Sequence, residues 1–157
     1  MSFYVDVICK DRRFSSVDQI KDVELLEPKT RAAIAGIIAD AKAKGVIMIV
    51  GETFRSKPRQ QLLFAKKVTK LKNVGVHHFG LACDLWITQN DQVDWKADYS
   101  VIGPLAKAHG LVWGYDWGTP KQPHTLRDID HVQRVSVRDQ QRLFSGAWYP
   151  DSNYSPI

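Results

Sequence analysis

The chain has 157 residues, of which 44% are hydrophobic and 25% are charged, a composition typical of one globular domain. This composition excludes collagen, a coiled coil and intrinsic disorder as descriptions of the whole chain. The longest apolar run, residues 46–50, is far shorter than the ~18 residues that a membrane-spanning helix needs. We therefore expect no membrane span.

The formal net charge of +5 favours an acidic partner, such as a nucleic acid or an anionic cell-wall polymer. The Lys and Arg residues are scattered and form no dense block, so we do not expect nucleic-acid binding. The start of the chain lacks the basic and apolar regions of a signal peptide. We expect one domain over residues 1–157, a monomer, which is made in the cytoplasm and has no export signal of its own.

The first half of the chain predicts two helices around a buried strand. Apolar residues recur at helical spacing over 28–44, with Pro28 as a start signal and Gly45 as a stop signal. The apolar run 46–50 predicts the strand, and a second helix is predicted over 57–67. Three apolar side chains of that second helix are expected to face inward: Leu62, Leu63 and Ala65.

Strands dominate the second half of the chain. Alternation over residues 81–88 predicts a strand with Cys83 on its core face and Asp84 on its polar face. The other predicted elements are a helix over 97–109 and strands over 111–113 and 131–137. This order predicts an α+β domain with a small, mainly antiparallel sheet flanked by helices.

Residues 77–84, His-His-Phe-Gly-Leu-Ala-Cys-Asp, contain two candidate metal ligands, His77 and Asp84. Their spacing does not fit one face of a helix, but Gly80 permits a tight turn that would bring His77 beside the start of the strand. Zinc binds imidazole nitrogen and carboxylate oxygen at about 2.0–2.2 Å. A solvated His pair with a surface Asp is the alternative interpretation.

A third ligand can come from the segment Asp128-Ile129-Asp130-His131. An acid three residues before a His can lie beside a metal without binding it and accept a proton from bound water. Catalytic zinc sites use three protein ligands and leave a fourth position for water, whose pKa falls to roughly 7. A charged turn that enters a strand would give the same pattern.

Arg55 directly follows the predicted strand 46–50 and its short exit loop. A guanidinium at this point can bind a substrate carboxylate or stabilise a developing oxyanion. Most loop arginines do neither, so a purely structural role stays open at this stage.

Together these segments resemble the LAS-type zinc metallopeptidases, in the branch of D-alanyl-D-alanine carboxypeptidases and phage L-alanyl-D-glutamate endolysins. Residues 75–84 match the family pattern Ser-x-His-x-x-Gly-x-Ala-x-Asp, and residues 128–131 match its acid-x-x-His pattern. Residues 54–64 are similar to a Tyr-Arg-Ser segment followed by Gln and Leu-Tyr. Residues 110–117 are similar to Gly-Leu-x-Trp-Gly-Gly-Asp-Trp. These ordered matches lie between about residues 46 and 135.

The resemblance implies the LAS fold and zinc-dependent hydrolysis of peptide bonds in peptidoglycan stem peptides, as an L-Ala-D-Glu endopeptidase or a D,D-carboxypeptidase. The implied zinc ligands are His77, Asp84 and His131. The other implied site residues are Asp128 as catalytic base, Arg55 as a contact to substrate or transition state, and Gln60 as support for the substrate pocket. We also expect His78 to contribute to that pocket rather than bind the metal.

Several positions depart from the family pattern: Gly75 replaces Ser, Phe54 and Phe64 replace Tyr, and Tyr115 replaces a Gly, which would narrow the cleft. Residues 118–127 form an insertion that contains a rival third ligand, His124. His131 is preferred, because only His131 has an acid three residues before it, whereas Lys121 holds that place before His124.

Two neighbouring acids have lesser expected roles. Asp116 is a candidate for orienting a ligand His, and Asp130 is expected on the surface by strand alternation. The expected biological setting is a phage or prophage lysis enzyme released by a holin or carried in a virion, or a cytoplasmic dipeptidase or recycling enzyme. A non-catalytic zinc-binding domain of the same fold, which recognises a partner, is the alternative function.

Overall fold

The computed structural model describes residues 2–116 and 128–157. Its sheet has five strands: β1 (Ile47–Val50), β2 (Ala82–Gln89), β3 (Gln92–Val93), β4 (Val112–Trp113) and β5 (His131–Gln133). The strand order is β1-β2-β5-β4, with β3 paired to the end of β2, and every pairing is antiparallel. The predicted α+β class with a small antiparallel sheet is confirmed.

Helices surround this sheet. The α-helices are α1 (Phe3–Asp6), α2 (Pro28–Ala43), α3 (Lys57–Ala65), α4 (Ile102–Ala108) and α5 (Gln140–Phe144). Short 3-10 helices cover Ile8–Lys10, Val23–Leu25, Val76–Phe79, Tyr99–Val101, Gly114–Asp116 and Val137–Asp139. Within the described part of the chain, no helix is both long and apolar enough to cross a membrane.

The sequence signals for α2 act as predicted. Pro28 lies in its first turn, and the Glu27 carboxylate accepts hydrogen bonds from the backbone N–H groups of the next residues. Gly45 follows the helix with a φ of +82°, the left-handed conformation that ends many helices. The apolar face of α2 packs on the sheet, where Ile37 shares a core cluster with Met48.

Two predicted elements differ clearly in extent from the structure. Residues 97–109 divide into the 3-10 helix Tyr99–Val101 and α4. The strand predicted over 131–137 ends at Gln133, and the backbone N–H of Ser136 donates instead to the Tyr154 hydroxyl. The elements α1, β3 and α5 were not predicted, because segments of two to five residues carry no periodic pattern.

The inward face of α3 also differs from the prediction. Leu63 is buried together with Gln60, but Leu62 and Ala65 are exposed. The helix begins at the N-cap Ser56, whose hydroxyl accepts a hydrogen bond from Arg59 N–H. This start turns Gln60 toward the cleft described below, and a polar residue therefore occupies part of the inward face.

Gly80 makes the tight turn that the sequence predicts between His77 and β2. Its φ is +72°, and an added Cβ would lie 2.7 Å from both the Leu25 carbonyl oxygen and Ile8 Cδ1. A side chain would therefore meet both an unfavourable backbone conformation and a fixed neighbour. The turn delivers the 3-10 helix Val76–Phe79 to the start of β2.

We predict that Gly80→Ala lowers the free energy of unfolding by about 3 kcal/mol or more. The left-handed conformation alone costs roughly 1–2 kcal/mol for a residue with a Cβ, and the clash with the Leu25 backbone adds to that cost. Gly45 is a matched control, since its φ is +82° and an added Cβ would meet nothing within 4 Å. Urea unfolding should show the larger loss for Gly80→Ala, and equal losses would contradict the close contact.

Candidate metal centre and active site

Pairing of β2 with β5 brings two of the predicted ligands together. Asp84 and His131 are directly opposite in the register of the two strands. Alternation points both side chains to one face of the sheet, while the neighbouring pair Cys83 and Val132 faces the core. His77 reaches the same point from the 3-10 helix before β2, so donor atoms of the three residues lie within 4.8 Å of one another.

The three donor atoms form a nearly equilateral triangle. His77 Nε2 lies 3.3 Å from Asp84 Oδ1, His131 Nδ1 lies 3.4 Å from the same oxygen, and the two nitrogens are 3.2 Å apart. Ligands bound at about 2.0–2.1 Å in a tetrahedron are separated by about 3.3 Å. The buried Asp84 Oδ1 accepts no hydrogen bond from residues 2–116 or 128–157. This donor set fits a zinc ion and leaves one tetrahedral position for solvent.

Gln133 fixes which nitrogen of His131 faces the cluster. Gln133 Nε2 donates to the Val135 carbonyl at 2.6 Å, so the amide oxygen of Gln133 must face His131. That oxygen accepts a hydrogen bond from His131 Nε2 at 2.7 Å. The Nε2 atom therefore carries the proton, and the lone pair of Nδ1 points toward Asp84.

The Thr53 carbonyl fixes which nitrogen of His77 faces the cluster. It lies 2.7 Å from His77 Nδ1 and can only accept, so Nδ1 carries the proton and Nε2 turns its lone pair to the cluster. Thr53 is itself held from two sides, because its hydroxyl lies 3.1 Å from the Ile20 carbonyl and 2.9 Å from the Asp22 carbonyl. The N-terminal segment thus supports the orientation of His77.

Electrostatics keep Asp84 ionised despite its burial. Burial raises the pKa of the Asp84 carboxyl group, but His77 and His131 lower it by a larger amount. The pKa of Asp84 therefore lies well below its usual value. For His131, burial lowers the pKa, whereas Asp84 and Asp128 raise it by a larger amount. The site therefore offers an anionic oxygen to a cation, and metal binding displaces any proton from the imidazole.

Arg55 lies beside this cluster in a fixed orientation. Its Nε and Nη2 atoms donate to the two carboxylate oxygens of Glu52 at 3.1 and 3.0 Å, and Nη2 is 3.9 Å from Asp84 Oδ2. Arg59 donates to the same buried Glu52 at 2.7 Å. Burial opposes the charge of Arg55, but Glu52 more than offsets it, and the pKa of Arg55 is raised.

Gln60 connects Arg55 to the loop after α3. Its Oε1 accepts a hydrogen bond from Arg55 Nη1 at 3.3 Å, and its Nε2 donates to the Leu71 carbonyl at 2.7 Å. A Cβ at Gly75 would lie 3.2 Å from the same Oε1. Gln60 thus occupies the space beside the position where the family pattern has Ser.

Asp128 and Asp130 border the cluster from the turn before β5. The carboxylate oxygens of Asp84, Asp128 and Asp130 lie within 4.8 Å of one another. Gly114 allows this close approach, since a Cβ there would lie 2.5 Å from the Asp128 carbonyl oxygen. Burial, followed by Asp128 and Asp84, raises the pKa of Asp130 to about 9.

The prediction that Asp130 lies on the surface is wrong. Its Oδ2 accepts a hydrogen bond from Trp86 Nε1 at 3.0 Å, and the side chain lines the cleft. Alternation failed here because residues 129 and 130 form a turn, and β5 begins only at His131. Asp116 is exposed and does not line the cleft, so the carbonyl groups of Thr53 and Gln133 orient the histidines instead.

We expected His78 to contribute to the substrate pocket, but its side chain does not line the cleft. The side chain is 1% exposed and lies among Tyr4, Phe14 and Phe54, on a different side from the cleft. Its Nδ1 is 3.2 Å from the Arg55 carbonyl oxygen, and burial lowers its pKa to about 4. Consecutive residues of a 3-10 helix point in different directions, so the neighbour of His77 enters the core.

The candidate ligand His124 and the insertion at residues 118–127 lie outside the described residues. Tyr115 is described, and it stacks on Trp113 at an exposed position that does not line the cleft. Three residues that hold the site were not anticipated from the sequence: Glu52, Thr53 and Gln133. Gln133 carried a usable signal, because a residue two positions after a strand His faces the same side.

The cluster lies at the base of a cleft of about 480 Å³. Polar groups at the base include Arg55, Asp128 and Gln133. The sides carry apolar and aromatic residues from three regions of the chain: Leu63, Val68 and Leu71, then Trp86 and Trp95, and Val137. A cleft of this size, with apolar walls and convergent polar groups, is typical of a ligand site.

Comparisons with known proteins show which families and structures the chain is similar to. Residues 69–134 match a family model described as D-alanyl-D-alanine carboxypeptidase. The peptidoglycan L-alanyl-D-glutamate endopeptidase CwlK of Bacillus subtilis (strain 168) is 29% identical over an alignment of 129 residues, and the match covers 70% of this chain and 74% of CwlK. The L-alanyl-D-glutamate peptidase of Listeria phage A118 is 28% identical over an alignment of 110 residues, and the match covers 67% of this chain but only 39% of the phage protein.

Among solved structures, the fold is similar to that of the L-Ala D-Glu endopeptidase ChiX from Serratia marcescens. The TM-score is 0.61 at 21% identity, and the match covers 80% of this chain and 96% of ChiX. The family model, the relatives and the fold thus confirm the resemblance to the LAS-type zinc metallopeptidases that the sequence motifs indicate.

Proposed function

We propose that the chain hydrolyses peptide bonds in peptidoglycan stem peptides, with His77, Asp84 and His131 as the zinc ligands. The observation that carries this proposal is the triangle of donor atoms 3.2–3.4 Å apart, next to the carboxylates and Arg55 at the base of one cleft. Three protein ligands and one open position are the arrangement of catalytic zinc sites.

A zinc ion held by His77, Asp84 and His131 would supply Lewis acidity for the hydrolysis. Asp128 accepts a proton from the attacking water and returns it to the leaving amine. Arg55 faces the developing oxyanion or a substrate carboxylate, and its salt bridge to Glu52 holds the guanidinium in place before substrate arrives. Gln60 fixes the third nitrogen of Arg55 and so limits its rotation.

The bond that we propose is L-Ala-D-Glu. Both curated relatives are named for this bond, although the chain spans only 39% of the phage relative. We further propose that residues 1–157 act as one domain and as a monomer that does not bind nucleic acid. A phage or prophage lysis enzyme, made in the cytoplasm and released to the wall by a holin or carried in a virion, is the setting that we favour.

The direct test incubates the zinc-loaded protein with purified peptidoglycan and identifies the products by mass spectrometry. Cleavage at the L-Ala-D-Glu bond releases peptides that begin with D-Glu, whereas D,D-carboxypeptidase activity releases D-Ala alone. Absence of any new amine with the wild-type protein would favour the alternative, a zinc-binding domain that recognises a partner without catalysis.

We predict that Asp128→Asn lowers kcat by about 100-fold or more, because an amide cannot accept the proton from water. Zinc content, measured by atomic absorption, should stay near one ion per chain, since Asp128 is not among the three ligands. Asp116→Asn is the control, because Asp116 is exposed and lies outside the cleft. A kcat for Asp128→Asn equal to that of wild type would exclude Asp128 as the base.

We predict that Gln133→Leu weakens zinc binding by about 10- to 100-fold, because His131 loses the acceptor that orients its ring. Competition with a chromophoric chelator measures the affinity without any assay of hydrolysis. Gln61→Leu on the exposed side of α3 makes the same chemical change away from the cleft and should leave the affinity unchanged. Equal affinities for both variants would show that Gln133 does not support the ligand.

A further inference from the structure

Trp86 and Trp95 form an aromatic wall of the cleft that the hydrolytic chemistry described above does not use. Trp86 lies two residues after Asp84 on β2, and its N–H donates to Asp130 at 3.0 Å. The ring of Trp95 lies 6.0 Å from the ring of Trp86, at an angle of 65°. The wall therefore begins at the carboxylates of the site and extends away from them.

Both rings of this aromatic wall are held in place from behind. A Cβ at Gly51 would lie 2.5 Å from Trp86 Cε2, which shows how closely Trp86 lies against the β1 exit loop. Trp95 stacks on the buried Tyr99 with ring centroids 6.1 Å apart and planes 9° apart. Tyr99 is anchored in turn by a hydrogen bond from the backbone N–H of Ile87 to its hydroxyl. The wall is a rigid surface rather than a pair of loose side chains.

Trp95 nevertheless remains 56% exposed inside this fixed arrangement. A large aromatic side chain exposed in a ligand cleft indicates a partner that covers it. Polar groups lie beside the wall: Lys21 Nζ is 4.5 Å from the centre of the Trp86 ring, and Gln19 lines the cleft. The Lys21 ammonium therefore lies over one face of Trp86, and Trp95 is the more exposed ring of the wall.

We propose that the aromatic wall, with Trp95 as its main contact, stacks against the pyranose ring of the amino sugar to which the stem peptide is attached. This proposal rests on the proposed function. The residues of a stem peptide carry methyl groups and charged groups but no aromatic side chain. The C–H face of the sugar is therefore the extended apolar surface that the substrate can offer to an indole ring.

The distances fit cleavage at the L-Ala-D-Glu bond. Between this bond and the sugar lie one residue and a lactyl group, which together span on the order of 7 Å. A terminal D-Ala-D-Ala bond would place the sugar about five residue lengths away, roughly 17 Å. Trp86 Nε1 lies 3.0 Å from Oδ2 of Asp130, which borders the donor cluster. The ring of Trp95 lies 6.0 Å from the ring of Trp86 and extends the wall. With the L-Ala-D-Glu bond at the donor cluster, the pyranose ring would therefore lie against the aromatic wall.

The test compares N-acetylmuramoyl-linked stem peptide with the same peptide carrying a lactoyl group on its N-terminal nitrogen, so that the two substrates differ only in the sugar. We expect wild type to show a kcat/KM about three- to ten-fold higher for the muramoyl substrate, chiefly through a lower KM. Trp95→Ala should bring the ratio of the two kcat/KM values close to one, and Trp95→Phe should retain most of it. Phe64→Ala, which removes an exposed aromatic ring from outside the cleft, should keep the wild-type ratio.

Other results overturn the proposal in distinguishable ways. A wild-type ratio near one, or a Trp95→Ala ratio equal to that of wild type, would show that the aromatic wall does not bind the sugar. Equal loss of activity toward both substrates in Trp95→Ala, with an unchanged melting temperature, would assign Trp95 to the peptide instead. If wild type hydrolyses neither substrate while zinc is bound, the proposed function itself fails, and this inference fails with it.

Discussion

Two imidazole lone pairs and a carboxylate oxygen meet at 3.2–3.4 Å in the cleft, and such neighbours repel one another unless a cation or a proton lies between them. The surrounding hydrogen bonds fix this arrangement. Thr53 and Gln133 accept the N–H hydrogens of His77 and His131 on the side of each ring that faces away from the cluster. The fold keeps three electron-rich atoms together at a free-energy cost that zinc binding offsets. A metal site is therefore the simplest account of this cluster.

Much of this arrangement was visible in the sequence. Alternation along residues 81–88 placed Asp84 on the polar face of a strand, and the spacing of an acid three residues before His131 indicated the turn before β5. The antiparallel sheet then aligned Asp84 with His131 in one register pair. Motif and strand period together sufficed to place these two side chains, because both belong to strands, in which side-chain direction follows from the backbone.

Other parts of the site could not be predicted, for identifiable physical reasons. The hydrogen-bond acceptor for His77 Nδ1 is the backbone carbonyl of Thr53. Every residue has a backbone carbonyl, so the residue type at position 53 does not indicate this contact. Asp130 lies in a turn and His78 in a 3-10 helix, so the strand period did not apply to either. The role of Glu52 is visible only in the structure, because its carboxylate accepts hydrogen bonds from Arg55 in the loop and from Arg59 in α3.

The hydroxyl of Thr53 ties the metal centre to a part of the chain in which no family motif is found. Its contacts to the carbonyls of Ile20 and Asp22 extend the support of His77 about thirty residues upstream of Thr53. An expression fragment trimmed to residues 46–135 would keep every recognisable motif and lose this brace. The boundary of the working unit is thus set by hydrogen bonds to the backbone, and the sequence motifs alone would draw it too narrowly.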